Sequence, residues 1–103
     1  MVKPKIEWLV EAKLDLKDIL GFYVERNGSA TYSQKLHRRF KKSVQLIAKN
    51  PFIGTQTDFS KVRTLVTDDY QIVYELFDQE ILIIKIWDCR RNPADKRIGQ
   101  RIK

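Results

Sequence analysis

The run EILIIKIWD, Glu80 to Asp88, followed by CRRNP, Cys89 to Pro93, decides how this chain is read. Apart from Lys85 it is apolar on both faces. A strand buried on both sides reads as a nearly continuous hydrophobic run, so this one is expected at the centre of a sheet, covered on one side by helices. It stops in two adjacent arginines, which places two cations at the tip of a rigid element, where a side chain can be held precisely.

Working outward, KVRTLV (Lys61–Val66) and YQIVYELF (Tyr70–Phe77) are also β-rich. In the second run Tyr70, Ile72, Tyr74 and Leu76 share one face, and Gln71, Val73, Glu75 and Phe77 share the other. Short turns at Thr67-Asp68-Asp69 and Asp78-Gln79 predict an antiparallel meander. Upstream the period changes. In EAKLDLKDILGFYVER (Glu11–Arg26), Ala12, Leu16, Ile19, Leu20 and Tyr23 form a single helical stripe. Asn27-Gly28 ends that helix, and Ser29 is placed to cap the next. In SATYSQKLHRRFKKSVQLIAK (Ser29–Lys49) the stripe is Leu36, Phe40, Val44 and Ile47, and Asn50-Pro51 closes it. So short a connection predicts a helical hairpin. KPKIEWL (Lys3–Leu9) reads as a first strand, with Pro4 suited to a strand start or an edge. The order β-α-α-β-β-β predicts an α+β domain, a helical hairpin packed on a curved antiparallel sheet.

The 103 residues are expected to make one domain, with 94–103 as a basic tail. Apolar content of 43% supports a core, and no run approaches a membrane span. The single cysteine, Cys89, excludes an intrachain disulfide and fits a reducing cytoplasm. The net charge is +7 and uneven: residues 50–88 carry three Lys/Arg against seven Asp/Glu, whereas residues 89–103 carry six against one. Such blocks favour a polyanionic or acidic partner.

Arg90 and Arg91 lead the residues that could do chemistry, because the planar guanidinium pairs with phosphate or carboxylate in two-pronged fashion. Arg63 lies in the KVRTLV run, and Lys61 shares its face by the period of two. If pairing brings that face to the Trp87–Arg91 end, these cations make an anion site. The structural alternative is that Arg63 pairs with Glu75 or Asp88. Lys35, Arg38, Arg39 and Lys42 lie in KLHRRFKK, a possible phosphate-tracking helix face, or else a solvated flank of the core stripe. His37 has no evident partner and reads as a surface residue. Cys89 has no paired base. Metal-ligand spacing and phosphate-binding glycine loops are absent, so no metal or cofactor is expected.

Several short motifs then occur in order: A-x-x-D-L-x-x-I (Ala12, Asp15, Leu16, Ile19), N-P-x-x-G (Asn50, Pro51, Gly54), V-R-x-L (Val62, Arg63, Leu65), Y-x-I-x-Y (Tyr70, Ile72, Tyr74) and I-W-D-x-R-R-N-P (Ile86–Pro93). Together they resemble the RelE/ParE toxins of bacterial type II toxin–antitoxin modules. The resemblance implies a cytoplasmic toxin neutralised by a cognate antitoxin, touching operator DNA only through that antitoxin and involving no membrane. It implies one of two targets, DNA gyrase or the mRNA in the ribosome. For RNA cleavage it would assign Arg63, Arg90 or Arg91, and Lys61 to the catalytic cluster. RelE-like nucleases often carry a tyrosine or histidine shortly after the strand-end arginine, and here Asn92-Pro93-Ala94-Asp95 follows. That departure favours gyrase inhibition, with ribosome-dependent mRNA cleavage as the alternative and an inactive interaction module as a third reading.

Overall fold

A computed structural model describes residues 3–90. Its elements are β1 (Lys5–Trp8), α1 (Val10–Asn27), α2 (Thr31–Lys49), β2 (Thr55–Gln56), β3 (Val62–Thr67), β4 (Tyr70–Leu76) and β5 (Glu80–Asp88). The expected helical hairpin and meander are both present. Strand order across the sheet is β1-β5-β4-β3-β2, with β5 inside it. Two features refine the expectation. β1 runs parallel to β5, which makes the sheet mixed, and the two-residue β2 pairs with β3 along the outer edge.

Both helical stripes face the sheet. Ala12, Leu36, Phe40 and Ile47 pack on Tyr70, Ile72, Tyr74, Ile81, Ile83 and Ile86. A smaller cluster of Val62, Val73 and Ile84 lies on the other face, against Leu9 and Phe59. β5 serves both clusters because successive side chains of a strand face opposite ways, and its register also slips. Tyr74 pairs with Ile83 but Val73 pairs with Lys85, so Ile84 is an extra residue in β5. A bulge of this kind restarts the alternation. It lets Ile83 and Ile86, three apart, both face the helices.

Gly28 ends α1 at φ 69°, its N–H donating to the Val24 carbonyl at 3.0 Å. This is the left-handed stop that glycine adopts without strain. Ser29 does not cap α2. The capping position is Ala30, with no side-chain bond, and the serine that matters is Ser33, whose hydroxyl donates to the Leu20 carbonyl at 2.7 Å. The Tyr23 and Tyr32 rings close the hairpin edge to face, 4.7 Å between centroids.

β1 pairs with β5 only from Glu80 to Ile83. Beyond that the edge of β5 meets α1, where an Asp15 carboxylate oxygen accepts the Ile86 N–H at 3.1 Å. A side chain thus replaces the missing strand neighbour, as a buried backbone donor requires. Lys85 reaches Glu11 at 3.3 Å and Asp15 at 3.7 Å. Burial raises the Asp15 pKa, opposed by the Ile86 N–H and by Lys85. Replacing Asp15 with alanine should cost about 1–3 kcal/mol, the usual penalty for orphaning such a donor. Urea unfolding with an unchanged m-value would measure it. A loss under about 0.5 kcal/mol, the level of an indifferent surface change, would show that the bond contributes nothing.

Candidate functional site

The cations named from the sequence fall into separate places. Arg63 pairs across the ladder with Tyr74, which pairs with Ile83. Directly opposed residues share a face, so Arg63 lies on the helix side. Its Nη1 donates to the carbonyls of Gly54 at 2.7 Å and Phe52 at 3.3 Å, and its guanidinium lies 4.9 Å from the Phe52 ring. Tyr74 works on the same loop: its hydroxyl donates to the Pro51 carbonyl at 2.8 Å and accepts the Gly54 N–H at 2.9 Å. Burial pushes the Tyr74 phenol above its usual pKa. Arg63 and Tyr74 therefore hold the loop that follows α2. Neither Glu75 nor Asp88 is Arg63's partner. Lys61 precedes β3, and its ammonium lies 5.7 Å from the Phe77 ring.

Arg90 stands at the other end of the sheet. Asp88 lies in the row of Tyr70 and Thr67, four residues along β3 from Arg63. That is roughly 13 Å along the strand and two strand spacings across. The Arg90 fork is occupied by Asp88: Nε to Oδ1 and Nη2 to Oδ2, each 2.9 Å, with the Arg90 backbone N–H also on Oδ1. The guanidinium sits 5.9 Å from the Tyr70 ring, and the Tyr70 hydroxyl meets that of Tyr23 at 3.2 Å. The hydrogen bond to Asp88 raises the already high pKa of Arg90. Burial, then Tyr23, pushes Tyr70 well above the ordinary phenol range, while the bond from Tyr70 lowers Tyr23. An exposed pair such as Arg90–Asp88 adds little to stability. What it does is occupy a guanidinium that would otherwise be open to an anion. Arg91 and the tail lie outside the described residues.

On α2, Lys35, Arg38, Arg39 and Lys42 are all exposed and recur at i, i+3, i+4 and i+7, one stripe of the helix. Arg39 is tied to Asp68 at 3.2 Å. His37 is exposed on the same helix, and Cys89 is exposed beyond β5. No three His, Cys, Asp or Glu among the described residues converge as metal ligands would. No described helix is long and apolar enough to cross a membrane.

The structure therefore brings together Arg63 with the Pro51–Gly54 loop, and Arg90 with Asp88, Tyr70 and Tyr23. It does not bring Arg63 to Arg90. Sequence reasoning missed Tyr23, Tyr70 and Asp88 as Arg90's partners. Asp88 is two residues from Arg90, so its proximity was readable, but the tyrosines come from α1 and β4 and only the fold delivers them.

Residues 6–93 match the family described as the ParE toxin of the type II toxin–antitoxin system parDE. The chain belongs to the ParE toxin family. It is thus the toxin component of a type II toxin–antitoxin system. No curated protein sequence matches this toxin. Among solved structures it is similar to a chain of the chromosomal ParDE system of P. aeruginosa, with TM-score 0.72 and 22% identity, covering 84% of this chain and 96% of that one. The YoeB dimer of Staphylococcus aureus shares the fold at TM-score 0.59 and 15% identity, covering 84% and 97%. The E. coli DinJ–YafQ complex shares it at 0.55 and 14%, covering 84% and 93%. At these identities the likeness is one of fold.

Proposed function

We propose that this toxin stops growth by binding a protein target, DNA gyrase, and not by cutting RNA, and that a cognate antitoxin neutralises it. The supporting observation is the separation of its cations. RNA cleavage requires donors for the developing phosphorane charge and proton carriers within hydrogen-bond reach of one phosphate. Here Arg63 and Arg90 belong to distant rows of the sheet. The first holds loop carbonyls, and the second is closed by Asp88. The exposed stripe of Lys35, Arg38 and Lys42 offers a surface for an acidic partner or for gyrase-bound DNA. The family's link to a type II toxin–antitoxin system supports the antitoxin as a partner.

A second reading draws on the Tyr23, Tyr70 and Arg90 group. Two phenols beside a guanidinium could receive a phosphate if Asp88 let go, which is the arrangement a ribosome-dependent endonuclease would use.

Purified toxin in two parallel assays separates these readings: plasmid supercoiling by gyrase, and mRNA integrity on programmed ribosomes. We expect supercoiling to fail and the mRNA to stay intact. The Arg63→Lys variant, which keeps a donor for the Gly54 carbonyl, should inhibit gyrase as the parent does. If mRNA is cut instead, and Arg63→Lys slows the cut by about 100-fold, as losing a transition-state donor does, the gyrase reading fails. Inactivity in both assays would favour a toxin fold retained only for interaction.

A further inference from the structure

The end of the sheet away from Arg90 opens into a groove of about 1510 Å³. Its walls come from the start of β1, the end of α2, the Pro51–Phe52 loop and the β4–β5 turn. Pockets for small molecules run to about 300–1,000 Å³ and are more enclosed, so this space suits a length of chain. The floor is apolar, including Pro51, Leu76 and Ile81. Phe52 and Phe77 stand in it 67% and 43% exposed, two rings on one groove.

The rim is cationic. Lys3, Lys5, Lys49 and Lys61 line the groove against a single acid, Asp78. Lys5 is paired with Glu7 at 2.9 Å, whereas Lys3, Lys49 and Lys61 meet no carboxylate among the described residues. Each exposed ring already has a cation near it, Arg63 at Phe52 and Lys61 at Phe77. The groove therefore offers apolar contact at its centre and positive charge around it. The complementary ligand is a peptide with apolar side chains flanked by carboxylates. A single-stranded nucleic acid fits less well, because base stacking needs open aromatic faces, and much of this floor is aliphatic or proline.

We propose that this groove is the seat of an acidic, apolar-bearing segment of the antitoxin that neutralises the toxin. The proposal rests on the antitoxin reading above but not on the choice between gyrase and ribosome. It also gives Lys61 and Arg63 a role outside catalysis: each sets a cation beside an exposed ring, Phe77 and Phe52, and Lys61 adds charge to the groove's rim.

The test is a titration of the antitoxin encoded beside this toxin against the purified toxin, at two salt concentrations. The key variant is the double reversal Lys49→Glu/Lys61→Glu. Its control is Lys13→Glu/Lys17→Glu, two exposed positions of α1 away from the groove, and thermal unfolding confirms that both variants fold. The groove reversal should weaken binding on the order of 100-fold, since each close charge pair at an interface is worth about tenfold or more. It should also flatten the salt dependence, while the control changes affinity little. Phe52→Ala, at an exposed ring, should weaken binding without lowering stability. Equal affinity of parent and groove variant overturns the proposal and leaves the antitoxin reading intact. Failure of the unaltered toxin to bind the antitoxin overturns both. Loss of single-stranded RNA binding in the groove variant, with antitoxin affinity unchanged, would make this a nucleic-acid site and overturn the proposal.

Discussion

Phe40→Ala should lower stability by about 3–5 kcal/mol, the usual range for removing a fully buried aromatic ring. Phe40 is 1% exposed at the middle of α2, with Leu36 one turn before it and Ile47 two turns after it in the same core. Its ring meets Tyr70 edge to face, 5.6 Å between centroids. Both costs follow from the geometry. The transfer term of the ring is lost, and a cavity remains between a helix and a sheet that are each held by other contacts. For a domain of this size each kcal/mol moves the melting temperature by about 4–8 °C, so the midpoint should fall by more than about 12 °C. Thermal unfolding followed by circular dichroism measures it. A shift below about 5 °C would mean that the helical hairpin is not packed on the sheet as described.

Gly54→Ala is the second large effect, and it comes from crowding. A Cβ on Gly54 would lie 2.6 Å from the Tyr74 hydroxyl oxygen and 2.7 Å from the Thr64 carbonyl oxygen. Neither neighbour yields easily. Thr64 is backbone in β3, paired with Thr55 on one side and Val73 on the other. The Tyr74 hydroxyl is held by Pro51 and by Gly54 itself. Overpacking usually costs about 1–3 kcal/mol. The upper end is expected here, because relief means giving up the hydroxyl's bonds and displacing the loop that Arg63 holds. Gly21→Ala is the control, since a Cβ there meets nothing within 4 Å. An exposed helical glycine replaced by alanine should gain up to about 1 kcal/mol. Equal melting temperatures for the two variants would refute the crowding argument.

The glycines also show where sequence reading stops. Gly28 was legible as a helix stop, because Asn-Gly after a periodic run is a local signal with a local cause. Gly54 could be noted within N-P-x-x-G, but nothing local gave its purpose, which depends on Tyr74, 20 residues away, and on the Thr64 carbonyl. Ser29 and Ser33 differ in the same way. The local rule favours Ser29 as a cap, yet Ser33 is the hydroxyl that binds, because the hairpin brings the Leu20 carbonyl to it.

Arg63 is the sharper case at the candidate site. The period of two put Lys61 on its face, and antiparallel pairing was correctly expected. The direction in which the face would point remained open, since it depends on the ladder register. With Arg63 opposite Tyr74 and Asp88 opposite Tyr70, the two cationic positions are four rows apart. Because β3 and β5 both run antiparallel to β4, the start of β3 lies toward the start of β5, and the meander keeps Arg63 away from the strand end that carries Arg90.

What the sequence by itself determined is the layer architecture: two helical stripes, a central apolar strand, the turns between them and the ordered motifs of the toxin family. These follow from periodicity and local chain geometry, which each segment carries on its own. Only the tertiary structure decided the partners of the charges, the bulge at Ile84, the cover that Asp15 gives the edge of β5 and the groove beside Phe52 and Phe77. Each of these depends on which distant residues arrive at the same place. That is set by the register and packing of the whole chain, because hydrogen bonds reach only about 3 Å and screened charges about 10 Å.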